Sequence, residues 1–576
     1  MSRIVMIVGM VAMAYASFVY YPKWEFTRTE ATISWDVSGY YLYLPALFIY
    51  HDLRDLKFKP ALDATYYPSS SPYQAYTHRS GKQVMKYTCG LAILYLPFFL
   101  LAHGIALVAH LPADGYSPIY QFFISLGSLM YAFLGLFVFR RFLLRYFGDE
   151  LVAIGLAMLI LASNYFDYAS ITGAMSHNYL FTLYAILLIT IDNFYKSEDR
   201  KWFYIICFII GLMALIRPTE IISKILLVGW GLESWSGFKE RIIYFFKRIP
   251  MVIIGALCFL ICPMVQMVYW KYVTGEWLVY SYQDQGFSWF EGHHILQGLY
   301  SYRAGWLVYT PVMILSLIAI VYLWIEKNVY RWPITVFVLA SLYFTFAWDE
   351  WTYGGSLGQR ALIQHYPVMI FGTLPFFQKY YANAFFKNVL YIFIAGCIYY
   401  NLWLTHQAHK GGIFEAGMMN KAYFWHTLFK SENDLESKKL LDTNEPLLYF
   451  EQATATLKLD TTYTVDSLRC INNSKAITMY QGLMPHGKIK LKTLVKASQK
   501  EWDVWKMAQL IVQYRNADKE VKTVFLRLHR FLNSEEEKWI DLVTMSPDKP
   551  YEDIKISVWN PSPQSICVQS LKVYVE

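Results

Sequence analysis

Residues 1–26 read MSRIVMIVGMVAMAYASFVYYPKWEF, and the reading of the whole chain turns on them. Between Arg3 and Pro22 run about eighteen residues without a charge, enough helix to cross a bilayer. A cleaved signal peptide has a shorter apolar core and ends at a small-x-small site. This run closes instead on Phe18, Tyr20, Tyr21 and Trp24, residues suited to a membrane–water boundary. It reads as an uncleaved helix that starts inside the cell.

The rest of the 576 residues agrees: 56% are apolar or aromatic and 16% are charged, against about 25% charged in soluble proteins. That excludes a purely cytosolic enzyme, and the hydrophobicity excludes disorder. The net charge of +8 is a topological signal, because membrane proteins keep Lys and Arg in cytoplasmic turns. No nucleic-acid partner is expected; the lipid bilayer is.

Hydropathy places spans near 4–21, 118–139, 150–166, 176–195, 202–217, 219–233, 249–270, 306–325, 332–347, 361–378 and 387–404, about eleven in all. Gly90–His110 is apolar enough to be another. If it crossed, the run Arg140-Arg141…Arg145 would lie outside. If it re-enters or lies in the interface, that run falls inside with Lys196/Arg200/Lys201, Lys239/Arg241/Lys247/Arg248, Lys327/Arg331 and Lys379/Lys387. Five basic turns then agree, so the re-entrant reading is preferred. Residues 22–116 become a first extracytoplasmic loop with interfacial helices. The odd count puts the C-terminus outside a multi-pass, inner (cytoplasmic) membrane protein.

Beyond Leu404 the composition changes. A helical or irregular linker covers 405–439. From 440 to 576 short runs such as KIKLKTLVKA, MAQLIVQYR, TVFLRLHRF, IKISVW and CVQSLKVYV alternate apolar with polar and are separated by turns, the pattern of an antiparallel sandwich. The expected fold class is thus a polytopic α-helical membrane protein, residues 1–404, with a C-terminal extracytoplasmic all-β sandwich. Cys470 and Cys567 are the two cysteines of that outer domain; a disulfide between them is open, since sequence does not show proximity.

The outward loops hold the candidate chemistry. In the first, Trp35 and Asp36 precede Tyr40 and Tyr41. A carboxylate there can act as general base on a hydroxyl while a lipid-borne substrate stays in the bilayer; the alternative is a solvated acid among interfacial aromatics. In Arg217-Pro218-Thr219-Glu220, proline breaks the helix, and the outward arginine suits a phosphate or else pairs with Glu220. The third loop, Trp348 to Arg360, contains Trp351, Gly354, Gly355 and Gln359. Its glycines permit close approach and Arg360 adds a charge before a helix, which fits an anion or a tight re-entry turn. Arg303 lies in a similar outward place, and His177 lines a cavity or satisfies a helix contact. His293-His294 with Glu291 invites a metal, but adjacent strand residues point apart and no second ligand pair follows. No metal or other cofactor is assigned, a divalent ion staying an open alternative.

An outer loop with Asp then Tyr-Tyr, a proline-containing interfacial stretch, basic cytoplasmic turns, and the strings Gly298-Leu299-Tyr300-Ser301-Tyr302-Arg303-Ala304-Gly305-Trp306 and Gly354-Gly355-Ser356-Leu357-Gly358-Gln359-Arg360 resemble the GT-C membrane glycosyltransferases, among them protein O-mannosyltransferases and the lipid A aminoarabinose transferase. The likeness covers roughly residues 1–405. It implies transfer of a sugar from a polyprenyl-phosphate donor to a glycan, lipid or protein hydroxyl outside the cell. The family's first-loop acid falls on Asp36, and Val37 replaces its usual acidic neighbour. By that resemblance Asp36 is the base of an inverting displacement, and Arg360, Arg217 or Arg303 takes the departing phosphate. Trp35, Tyr40, Tyr41, His177, Glu220, Trp351, Gly354, Gly355 and Gln359 line the substrate. The alternatives are a transporter or flippase of a lipid-linked sugar, which would carry midplane charges and an inverted repeat, and a ligase or polymerase using a polyprenyl-pyrophosphate-linked glycan.

Overall fold

In the computed structural model, which describes residues 1–69, 74–288, 293–432, 434–443, 455–457, 469–483, 486–501, 503–517 and 519–575, the chain forms two units, Met1–Lys410 and Gly411–Glu576. The first is mainly helical. Five of its described helical stretches are long and apolar enough to cross a membrane: Ser2–Glu25, Gly90–Val108, Pro118–Leu143, Ile249–Thr274 and Ala384–Gly411. Local sequence sets their ends. Pro118 opens its helix where a missing N–H costs nothing, Asn383 accepts from the Phe386 amide, and Gly275 closes Ile249–Thr274 in the left-handed conformation at φ 85°. Ile253, Leu257, Leu260 and Ile261 of that helix remain exposed, an apolar face of the kind that meets lipid.

Four expected spans are broken. The 150–166 segment is a helix over Asp149–Ile160 and a short one over Tyr165–Ala169. The 219–233 segment becomes a 3-10 turn over Pro218–Ser223 and a short helix over Lys224–Gly229. The 306–325 segment is interrupted before Pro311, and the 361–378 segment starts with a 3-10 turn over Arg360–His365 before the Tyr366–Tyr380 helix. Proline accounts for the interruptions at 218 and 311, where ring and absent N–H disrupt the ladder.

Gly90–Val108 runs as one uninterrupted helix, so the reversal that a re-entrant segment needs is not formed. At its start a Cβ on Gly90 would lie 2.6 Å from the Ile216 amide. Near its end His103 Nδ1 meets the Tyr120 hydroxyl at 2.6 Å. Both neighbours are at the end of the unit that holds Asp36. At the opposite end Arg140 Nε donates to Ser2 Oγ at 2.7 Å, and Arg145 pairs with Asp192.

The second unit is a sandwich of antiparallel strands. One sheet has the order Lys475–Gly482, Asp553–Asn560, Gln509–Asn516, Lys519–Arg527. The other sets Ile566–Val575 against Lys488–Ala497, which pairs onward with Glu537–Met545; Ala455–Leu457 and Arg469–Ile471 also pair with Ile566–Val575. Alternation does the sorting: Ile489, Leu491, Val495 and Ala497 point inward to a core with Leu510, Val512, Ile556 and Val558. Cys470 and Cys567 face each other in register and are disulfide-bonded. The stretch expected as a linker supplies a short helix, Lys421–Thr427, to this unit. Just beyond that stretch, Asp442 grips Arg527 at 2.6 Å and Arg530 at 3.2 Å.

Candidate active site

The Trp35–Tyr41 helix fixes the first side chain. Asp36 and Tyr40 are four residues apart, hence on one face, and both line a cavity of about 370 Å³ in the helical unit. Tyr41, one position on, points the other way: it is buried, donates to the Gly115 carbonyl at 2.6 Å and packs on Tyr95 and Tyr116. Trp35 is 41% exposed and donates from Nε1 to the Thr29 carbonyl. Of the expected aromatic trio, one residue reaches the cavity.

Asp36 Oδ2 accepts from Arg360 Nη2 at 2.5 Å, and Oδ1 accepts from the Tyr87 hydroxyl at 2.8 Å. Arg360 comes from the 3-10 turn after the glycine loop, where Tyr353, Gly354 and Gly358 all take positive φ. A Cβ at Gly358 would lie 2.7 Å from Tyr309 Cβ. The turn is therefore closed against Tyr309 and delivers Arg360 to the acid. Gly354 lines the cavity; Gly355 does not. Gln359 is buried and ties the Ala304 and Trp351 carbonyls together, while Trp351 stacks near His294 at 5.6 Å. These two residues hold the loop instead of lining the cavity. Arg303 also stands outside the lining, on the turn where the Ser301 carbonyl accepts from the Gly305 amide.

Arg217 ends the Arg200–Ile216 helix and lies in the cavity wall. The expected pairing with Glu220 is not made. Glu220 accepts from His365 at 3.0 Å, Tyr184 at 2.8 Å and Gln364 at 2.9 Å. Arg217 forms no ion pair among the described residues; its guanidinium lies 5.5 Å from the Tyr353 ring and 3.3 Å from His177. A half-buried cation with no carboxylate at ion-pair distance suits an anion.

His365, like His177 expected to line a cavity or satisfy a helix contact, is in the lining, as is Tyr353 of the glycine loop; Lys86, Tyr87, Tyr282 and Gln364 join them with no sequence expectation behind them. The Ala75–Thr77/Gln83–Met85 hairpin presents Lys86, whose ammonium sits 5.7 Å from both the Tyr87 and Tyr282 rings. Burial pulls its pKa below the ordinary lysine value, with Asp36, Asp284 and Glu350 partly opposing. A Lys-Tyr pair just ahead of an outward apolar run was the available signal. Ile222 and Phe344 form an apolar wall, and the Phe344 helix exposes Val336 and Leu339 on its outer side. The cavity thus joins three cations and three carboxylates to a greasy flank. Glu291 lies outside the described residues; among those described, no three His, Cys, Asp or Glu side chains converge as a metal site would require.

No protein-family model and no curated protein matches the chain. Among solved structures it is similar to the arabinosyltransferase EmbB from Mycobacterium smegmatis at 10% identity and TM-score 0.40, over 99% of this chain and 64% of that one. It is also similar to a family 16 carbohydrate-binding module at 19% identity and TM-score 0.15, over 19% of this chain and 74% of that one. At such scores the chemistry is left to the cavity's own side chains.

Proposed function

We propose that this chain is a GT-C-type membrane glycosyltransferase that moves a sugar from a polyprenyl-phosphate donor to an acceptor hydroxyl on the extracytoplasmic side. One observation carries the reading. A single cavity of about 370 Å³ combines the Asp36 carboxylate, held by Arg360 and Tyr87, with an Arg217 that makes no ion pair among the described residues. The donor's tail stays in lipid along the Ile222 and Phe344 flank, and its phosphate meets Arg217 and Lys86.

Asp36 takes the proton of the acceptor hydroxyl. The hydroxyl oxygen then bonds to the anomeric carbon as the carbon–oxygen bond to phosphate breaks on the opposite face, inverting the centre. The electron pair leaves with the polyprenyl phosphate, whose growing charge Arg217, Lys86 and Arg360 neutralise; fixed cations in a partly dry site are effective in such a step. Arg360 does two things here, orienting Asp36 and facing the phosphate. The acceptor, whether glycan, lipid or protein, enters from the wetter side near Glu350. The Cys470–Cys567 disulfide supports an oxidising, extracytoplasmic place for the second unit, and the basic Arg140 beside Ser2 supports a cytoplasmic N-terminus.

The test is transfer by the purified chain in lipid nanodiscs, supplied with synthetic polyprenyl phosphates carrying different sugars and a hydroxyl acceptor. Release of bare polyprenyl phosphate coupled to a new glycoside is expected. If no such lipid binds and none turns over, the reading fails.

A further inference from the structure

Glu220 fixes the proton of a histidine two steps away. A carboxylate only accepts hydrogen bonds, so Gln364, whose Nε2 lies 2.9 Å from Glu220 Oε1, must turn its NH2 toward that acid. Its carbonyl then faces His177 Nδ1 at 2.7 Å. A carbonyl also only accepts, so His177 carries its proton on Nδ1 and its lone pair on Nε2. His365, donating from Nε2 to Glu220 Oε2 at 3.0 Å, and the Tyr184 hydroxyl complete the shell around the carboxylate.

Two consequences meet in the cavity. Arg217 Nη1 lies 3.3 Å from His177 Nδ1, an N–H set against an N–H, so the guanidinium gains no acceptor from that ring and an anionic ligand would supply one. Both hydrogen-bond contacts of the His177 ring are at Nδ1, which leaves Nε2 without a hydrogen-bond partner among the described residues, on a side chain 2% exposed that lines the cavity. An unused donor and an unused acceptor thus stand side by side. The ligand they fit has an anion next to a hydroxyl.

We propose that His177 reads the donor's sugar: its Nε2 accepts a hydrogen bond from a sugar hydroxyl while Arg217 binds the adjoining phosphate. This rests on the glycosyl-transfer reading above and makes His177 a specificity residue. A buried acceptor built for a hydroxyl discriminates strongly against a ligand that lacks it, because the site's polar atom is then left unpaired.

The experiment measures binding of decaprenyl phosphate, bare and carrying mannose, glucose or arabinose, to the full chain in nanodiscs. One or more sugar-bearing lipids should bind more tightly than the bare one. His177→Asn keeps an N–H near Nδ1 but removes Nε2; it should lose about tenfold in affinity for that lipid, with bare decaprenyl phosphate little changed. An equal fall for both lipids, or no fall, overturns the proposal. Nitrogen-15 histidine spectra of the unaltered chain, assigned by difference from His177→Asn, should show a protonated Nδ1 and a bare Nε2; the reverse tautomer also overturns it. If the unaltered chain binds no decaprenyl lipid, the glycosyl-transfer reading falls with it. If transfer proceeds and His177→Asn keeps the sugar preference, this inference alone falls.

Discussion

Asp36 and Arg360 stand 324 residues apart in the chain and meet at 2.5 Å, carboxylate to guanidinium, in the wall of one cavity. The pair is only 23% and 16% exposed at the side chains, so each group depends on the other. Arg360→Ala leaves Asp36 with the Tyr87 hydroxyl as its donor and removes a cation from the place proposed for the phosphate. Turnover should fall about 10²- to 10³-fold, with donor affinity falling too. Arg360→Lys should restore little, since a single ammonium cannot reach Asp36 and Met175 Sδ at once as the two guanidinium nitrogens do. Initial rates and donor binding for both variants check this.

Lys86 makes donor binding sensitive to alkali. Burial depresses its pKa, so the charged form, the one proposed to bind phosphate, is lost as pH rises through a value below the ordinary ~10.4. Donor affinity should therefore decline on the alkaline side earlier than an exposed lysine would allow. Lys86→Arg, which stays charged, should move that decline to higher pH. Binding curves across pH 7–10.5 for both proteins decide it; an unshifted alkaline limb would contradict the assignment.

The glycine loop separates two effects of a methyl group. Gly354 has φ +68° with no atom within 4 Å of an added Cβ, while Gly358 has φ +65° and a Cβ there would lie 2.7 Å from Tyr309. Gly354→Ala should cost about 1 kcal/mol from backbone strain alone. Gly358→Ala should cost clearly more, adding a clash that displaces Arg360 from Asp36. Thermal unfolding in detergent reads the stabilities, and transfer rates should fall steeply only for Gly358→Ala.

His529 ties stability of the second unit to pH. It is fully buried, its Nδ1 accepts from the Ala508 amide at 3.0 Å, and burial holds its pKa down to about 4. The unfolded chain, near 6.5, takes up the proton more readily. The contribution of the neutral ring is thus complete above about pH 6.5 and is lost as pH falls toward 4, about 2 kcal/mol between pH 7 and 5. Unfolding measured at both pH values should show that loss in the unaltered chain and a smaller one in His529→Gln.

Much of this was legible in local sequence, and the rest is long-range. Asp36 announced itself by its place just after the first apolar run, and Tyr40 shares its helical face. A loop reading sets Tyr41 beside Tyr40, but on the helix a one-residue step turns a side chain by about 100°. Arg303 was chosen by likeness to Arg360, although its turn faces elsewhere. The alternation in KIKLKTLVKA marks a sandwich strand, whereas Lys475–Gly482 fully buries one side chain, Met479, and carries no such alternation. The Glu220–Gln364–His177 chain spans 187 residues between its last two members, and no spacing rule anticipates it.

The central claim is that Asp36 is the base. The most direct measurement is the single-turnover rate of sugar transfer, with saturating polyprenyl-phosphate donor, for the unaltered chain and Asp36→Asn. The amide is nearly the same size and keeps an oxygen for Arg360 but cannot take a proton. A rate at least 10²-fold lower, with donor affinity nearly unchanged, is the predicted result. Equal rates in the two proteins would contradict the account.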